Sequence, residues 1–200
     1  MKEFTRFTAS GETICGWCPS KQFENQAQDG DILLEGSFPS TQYYLIDGVP
    51  ALKSIRPSDN YEWDSATNSW IGNLEKAKQM KKLQIEAKRE ELIYSNILYE
   101  GHIFQADEYS VKNIQKKLDE ISAAEALNVS VSPMLWRDFE NNNYYWTDLA
   151  IYKTWLNGFI VTIADRTTSL IIASFTHKDA VELLETVEAV EAYNHTINWN

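Results

Sequence analysis

The stretch Ser69-Trp70-Ile71-Gly72-Asn73-Leu74-Glu75-Lys76-Ala77-Lys78-Gln79-Met80-Lys81-Lys82 divides the chain. To its left, aromatic and β-branched residues alternate with short polar turns. To its right, Lys and Glu alternate with no interior Gly or Pro as far as Tyr99. Residues 1–72 hold six glycines and four prolines; the remaining 128 hold two glycines and one proline. Gly and Pro punctuate strands and turns, so their loss marks a change to long helices. The sequence therefore predicts an α+β chain. A small antiparallel β-rich region over 1–71 precedes a mainly α-helical region over 72–200 that carries one short β-hairpin.

Leftward, Tyr61-Glu62-Trp63 and Ser69-Trp70-Ile71 form a hairpin around 64–68 that brings Trp63 and Trp70 together. Tyr43-Tyr44-Leu45-Ile46 runs into Asp47-Gly48, a pair suited to a type I′ turn because both positions need positive φ. The return strand from Val49 to Ile55 contains Pro50, which has no ladder donor, so that strand is an edge or starts late. Asp31–Gly36 is a further strand. Glu3–Thr8 and Thr13–Trp17 are two more, joined through Ser10-Gly11.

Rightward, helices are expected near 73–99, 108–127, 147–174 and 177–192. Leu74, Ala77, Leu83, Ala87 and Tyr94 mark an approximate apolar stripe on the first, which Gly101 ends. Its lysines and glutamates read as a solvated face with i,i+4 pairs. His102-Ile103-Phe104 is extended, and Asp107 caps the second helix, where Val111, Ile114, Leu118 and Ile121 face inward. Pro133 to Trp146 is the short hairpin. Thr147 caps the third helix, whose inward positions are Leu149, Tyr152, Leu156, Phe159 and Ile163, widened by Trp155, Ile160 and Val161. Thr176 with Asp179 resembles a capping box that opens the last helix. There Val181, Leu184, Val187 and Val190 point inward, and Glu182, Glu185, Glu188 and Glu191 form a solvated stripe.

A formal net charge of −11 disfavours nucleic acid and anionic membranes as partners, since both call for a basic face. The charge divides as −5 over 1–70 and −6 beyond, so acidity is a general surface property. The N-terminal residues contain no apolar signal segment, and the near-apolar run from Trp155 to Ala164 is far shorter than the roughly 20 residues of a membrane span. The expectation is synthesis in a cytoplasm, with no export by a cleaved signal and no membrane insertion.

Cys15-Gly16-Trp17-Cys18 invites a thiol oxidoreductase reading. A reactive C-x-x-C sits at a strand-to-helix turn, where the helix N-terminus lowers the thiol pKa. Here Pro19-Ser20 follow, and the next helix begins about 50 residues later, so two structural thiols at a strand end fit better. One such pair supplies two of the four ligands of a structural zinc, and His102, His177 and His195 lie apart. Neither catalytic residues nor a metal or cofactor is expected. The carboxylates of Asp107-Glu108 are explained by their place at a helix start.

Aromatic clusters are the candidate binding residues: Tyr43, Tyr44, Trp63, Trp70, Trp136, Tyr144, Tyr145 and Trp146, all on or beside hairpins. Such rings fill the cores of small sheets. Where exposed, they stack on sugar rings or anchor interfaces.

Trp63 with Trp70, the Lys/Glu-rich helix, Gly101-x-x-Phe104-x-x-Asp107-x-x-Ser110, Trp136-x-x-x-x-Asn141 and the helix opened by Thr147 resemble an uncharacterised C-terminal domain of bacteriophage tail-fibre and related virion proteins. The resemblance covers roughly residues 60–195. Residues 30–57 are similar to short N-terminal β modules of such proteins. It implies a structural, non-enzymatic protein of the virion tail that serves assembly or host attachment. The implied partners are other tail, fibre or baseplate proteins; oligomer symmetry adds further copies of the chain, in a trimer or another closed ring, and the tryptophans, where exposed, add a host surface glycan. The alternatives are a tail-fibre assembly chaperone and a thiol oxidoreductase using Cys15 and Cys18.

Overall fold

The computed structural model describes residues 4–8, 11, 13–18 and 30–199, with 13–18 described by backbone alone. Glu3 and Ser10, expected in the first strand and turn, lie outside the described residues. The chain forms two compact units, Met1–Ala77 with Glu185–Glu188, and Lys78–Leu184 with Ala189–Asn200. Antiparallel hairpins and helices together make the α+β class expected.

In the first unit, β1 (Phe4–Phe7) is the middle strand of a sheet between β2 (Thr13–Cys18) and β3 (Ile32–Glu35). Phe7 and Thr5 are fully buried. The Thr5 hydroxyl is satisfied there, because it donates to the Gly36 carbonyl at 2.8 Å and accepts from Phe38 N–H at 2.9 Å. The hairpin of β4 (Tyr43–Ile46) and β5 (Val49–Leu52) turns on Asp47 and Gly48, both at positive φ, as the sequence requires. β5 stops at Leu52, short of Ile55. β6 (Tyr61–Asp64) and β7 (Ser69–Gly72) pair Trp63 directly with Trp70.

The expected helix over 73–99 is shorter. α1 spans Leu74–Ile93. After it, β8 (Ile97–Tyr99) and β9 (His102–Phe104) form a hairpin. Glu100 and Gly101 are its turn, both at positive φ, so Gly101 closes a hairpin rather than a helix. Ser95 helps end α1 by bonding back to the Leu92 carbonyl at 2.8 Å. The expected stripe on α1 is also corrected. Leu83 and Tyr94 are 57% and 47% exposed, Ala87 is exposed, and the buried positions are Ala77, Lys81 and Ile85. Lys81 occupies a core position because its ammonium donates to the Glu191 and Tyr193 carbonyls, each at 3.1 Å. Several α1 charges pair with distant partners rather than only along the helix. Lys82 pairs with Glu182, and Glu86 with Lys178 at 2.6 Å.

α2 (Glu108–Leu127) starts at Asp107, whose carboxylate accepts from Ser110 N–H at 2.7 Å. Ile114, Leu118, Ile121 and Ala124 are buried, as periodicity predicts. β10 (Leu135–Arg137) and β11 (Asn143–Tyr145) form the expected short hairpin.

α3 (Leu149–Glu182) merges most of the two expected helices into one. Its cap is Asp148 rather than Thr147, accepting from Ile151 N–H at 3.0 Å. Thr176 opens no helix, because its hydroxyl bonds back to the Ile172 carbonyl at 3.2 Å and no Gly or Pro lies between Phe159 and Glu182. Only α4 (Val187–Ala192) remains separate. Val181, Val187 and Val190 are buried, while Leu184 is half-buried. Glu182, Glu185, Glu188 and Glu191 are exposed. Val161, expected inward, is 56% exposed.

By length and composition, α3 is also long and apolar enough to cross a membrane, with a mean hydropathy of 1.3 over its best 18 residues. The shorter run read from the sequence stopped at Asp165-Arg166, two charges that a window of this length tolerates. In the second unit, Tyr152, Trp155, Leu156, Phe159 and Ile163 of α3 meet Ile114, Leu118 and Ile121 of α2 and Phe104 of β9 in one core.

Candidate functional site

The eight aromatic candidates divide between the units. In the first, Tyr43 sits edge-on to Phe38 at 5.3 Å, and Tyr44 lies 4.8 Å from Trp63, which in turn meets Trp70 at 5.3 Å. All four are half-buried. Cations already lie over these rings. Lys53 Nζ is 5.0 Å from the Trp63 centroid, and the Arg56 guanidinium is 5.6 Å from that of Trp70. Each such contact contributes about 0.5–1 kcal/mol at exposed sites. The Trp70 indole N–H donates to the Ser54 carbonyl at 2.8 Å. This cluster is the packing of two small hairpins, β4–β5 and β6–β7.

In the second unit, Trp136 and Tyr144 are half-buried beside the core, and Tyr145 is 70% exposed. Trp146 differs from the other tryptophans. It lies on Tyr152 at 4.9 Å and Trp155 at 4.8 Å, both buried, yet it remains half-buried itself. It forms one wall of an open cleft of about 490 Å³. Tyr99 and the Trp155 edge complete the aromatic lining, with Glu100, Thr154 and Gly158 around them. That volume lies within the 300–1,000 Å³ usual for small-ligand sites.

Gly158 shapes this cleft. A Cβ there would overlap the Tyr99 hydroxyl, so glycine lets β8 approach α3 closely. Tyr99 is then locked: its hydroxyl donates to the Trp155 carbonyl at 3.2 Å, and its ring stacks on Phe159 at 5.2 Å. Burial raises the Tyr99 pKa, and the Glu100 carboxylate adds to the rise, so the phenol stays protonated and keeps donating.

A second polar cluster fixes the β10–β11 hairpin. The buried Asp138 carboxylate accepts from Asn142 N–H at 2.8 Å, Asn142 Nδ2 at 2.9 Å and the Tyr144 hydroxyl at 2.9 Å. Tyr144 has one proton to give and spends it on Asp138. Its oxygen therefore accepts from His102 Nδ1 at 2.7 Å, which sets the His102 tautomer. Burial alone would raise the Asp138 pKa, but the bonds from Asn142 and Tyr144 outweigh it and leave it below the ordinary 3.8. A carboxylate depressed in the folded state contributes stability above its unfolded pKa, and that contribution is lost as pH falls through the folded value. Tryptophan fluorescence of the hairpin should therefore change below about pH 4. Asp138→Asn should shrink that acid transition; an unchanged acid titration in the variant would count against the cluster's role.

Residues 76–195 match a domain of unknown function (DUF4376). The chain belongs to the DUF4376 family. The DUF4376 segment contains every residue lining the Trp146 cleft and all of the second unit's core cluster. No curated protein and no solved structure matches the chain.

Among the described residues, no three His, Cys, Asp or Glu side chains group to hold a metal ion. The Cys15 and Cys18 side chains lie outside the described residues. The cleft residues that sequence reading missed are Tyr99, Glu100, Thr154, Trp155 and Gly158. One signal was available: a lone Gly inside a long helix points to a packing reason, here the Tyr99 side chain.

Proposed function

We propose that this DUF4376 chain is a non-enzymatic structural protein of a bacteriophage tail, fibre or baseplate, serving assembly or host attachment. The observation that carries the reading is the Trp146 cleft. Ring faces with a single formal charge beside them suit recognition of a small polar ligand. The sequence motifs that resemble tail-fibre domains lend support. Trp63 pairs with Trp70, Asp107 caps α2, and Trp136 lies in the hairpin beside the core. The partners are other tail proteins and further copies of the chain. Ile172 and Phe175, exposed three residues apart on α3, suit burial against such a copy. Such copies would close into a symmetric ring, of which a trimer is one form.

Quantitative mass spectrometry of purified virions tests the reading. The protein should be present in mature particles at a copy number matching a symmetric tail element. Presence in infected-cell lysates with absence from particles would replace it with an assembly chaperone.

A further inference from the structure

We infer that the Trp146 cleft binds a pyranose ring, neutral or amino-substituted, with Trp146 as the stacking platform and Glu100 as the hydrogen-bond acceptor. The inference deepens the attachment reading and rests on it for the source of the sugar.

The platform is specific to Trp146. Its ring packs on Tyr152 and Trp155, and the half-buried side chain also lines the cleft. A sugar presents an apolar C–H face with partial positive charge, which the negative face of an indole attracts. Its hydroxyls project around the ring edge and need partners at the rim.

The rim supplies acceptors. Glu100 is exposed, held by the turn at a φ of 49°, and carries the cleft's only formal charge among its lining residues. The Thr154 hydroxyl spends its proton on the Ala150 carbonyl at 2.8 Å, which leaves its lone pairs available. Tyr99 likewise donates inward, to Trp155. A rim of acceptors selects a ligand that donates, through hydroxyl or ammonium groups. It selects against carboxylated or phosphorylated sugars, which would face the Glu100 charge.

A bare quaternary ammonium is the competing guest for aromatic rings beside a carboxylate. It requires several open ring faces around one point. Here Trp155 is covered by Trp146, and Tyr99 is stacked on Phe159, so Trp146 alone offers a wide platform.

The test is a titration of the purified full chain, followed by tryptophan fluorescence and ligand-observed NMR. The probes are neutral hexose oligosaccharides, glucosamine oligosaccharides, a sialylated oligosaccharide and choline. The neutral or amino sugars should bind, with the sialylated one at least ~10-fold weaker. Trp146→Ala should weaken sugar binding ~10-fold or more, and Trp146→Phe should recover part of it. Glu100→Gln should weaken the amino sugars more than the neutral ones. Should Trp146→Ala fail to fold, Glu100→Gln at the exposed rim still reads the site. The inference is overturned if neither neutral nor amino sugars bind, if choline alone binds, or if folded Trp146→Ala binds sugar as the parent does. Such a failure leaves the tail assignment to the particle composition, which is measured separately.

Discussion

Phe159→Ala is expected to lower the stability of the helical unit by about 3–5 kcal/mol, the range for large-to-small changes at a fully buried aromatic. Phe159 has 0% exposure and lies where three other rings converge. Tyr99 stacks on it at 5.2 Å, Phe104 is 5.2 Å away and Trp155 5.4 Å. The cavity left by alanine adjoins rings fixed on three elements, β8, β9 and α3, so collapse around it is restricted. Urea unfolding followed by circular dichroism measures the loss. A change under about 1 kcal/mol would mean that the site relaxes freely and that this ring cluster is not the centre of the core. Because Tyr99 loses its stacking partner, the Trp146 cleft should widen in the same variant.

Removing Arg166 is expected to cost about 2–3 kcal/mol. Its guanidinium reaches from α3 to three carbonyls at and just beyond the end of α1. It donates to Ile93 at 2.7 Å, Ser95 at 2.9 Å and Asn96 at 3.0 Å. Burial lowers the Arg166 pKa from its ordinary value, yet a guanidinium stays charged across the working pH range. Arg166→Ala strands those carbonyls, and Arg166→Lys should recover only part of the loss, because a single ammonium lacks the planar fork. Amide hydrogen exchange localises the effect. Protection should fall first around 94–99, where α1 gives way to β8. Uniform loss across the unit, with no local excess, would contradict the clamp.

These two sites differ in how far the sequence discloses them. Phe159 follows Tyr152 and Leu156 at helical spacing, and periodicity alone places it inward. The Asp47-Gly48 turn, the Trp63–Trp70 pairing and the Asp107 cap were equally legible, because each is decided by neighbours within a few residues. Arg166 was not, since its partners lie about 70 residues earlier. Lys81 misled the stripe on α1 for the same reason: its burial depends on carbonyls 110 and 112 residues later. Thr176 and Asp179 carry a sound local signal for a helix start, and the uninterrupted α3 overrides it. Of the candidate site, Trp146 was legible as an aromatic beside a hairpin. The opposing wall was not, because Tyr99 was assigned to a helix, and only a strand at that position brings it against Gly158.

Lys81 also sets an order of events. A six-residue helix such as α4 is too short to persist on its own propensity, and the carbonyls at and just beyond its end are held by a side chain synthesised 110 residues before Glu191. Until Glu191 and Tyr193 arrive, that ammonium stays hydrated and α1 lacks its full complement of inward-facing partners. Completion of the helical unit therefore waits on Glu191 and Tyr193, and α4 should be the first element to lose protection on unfolding.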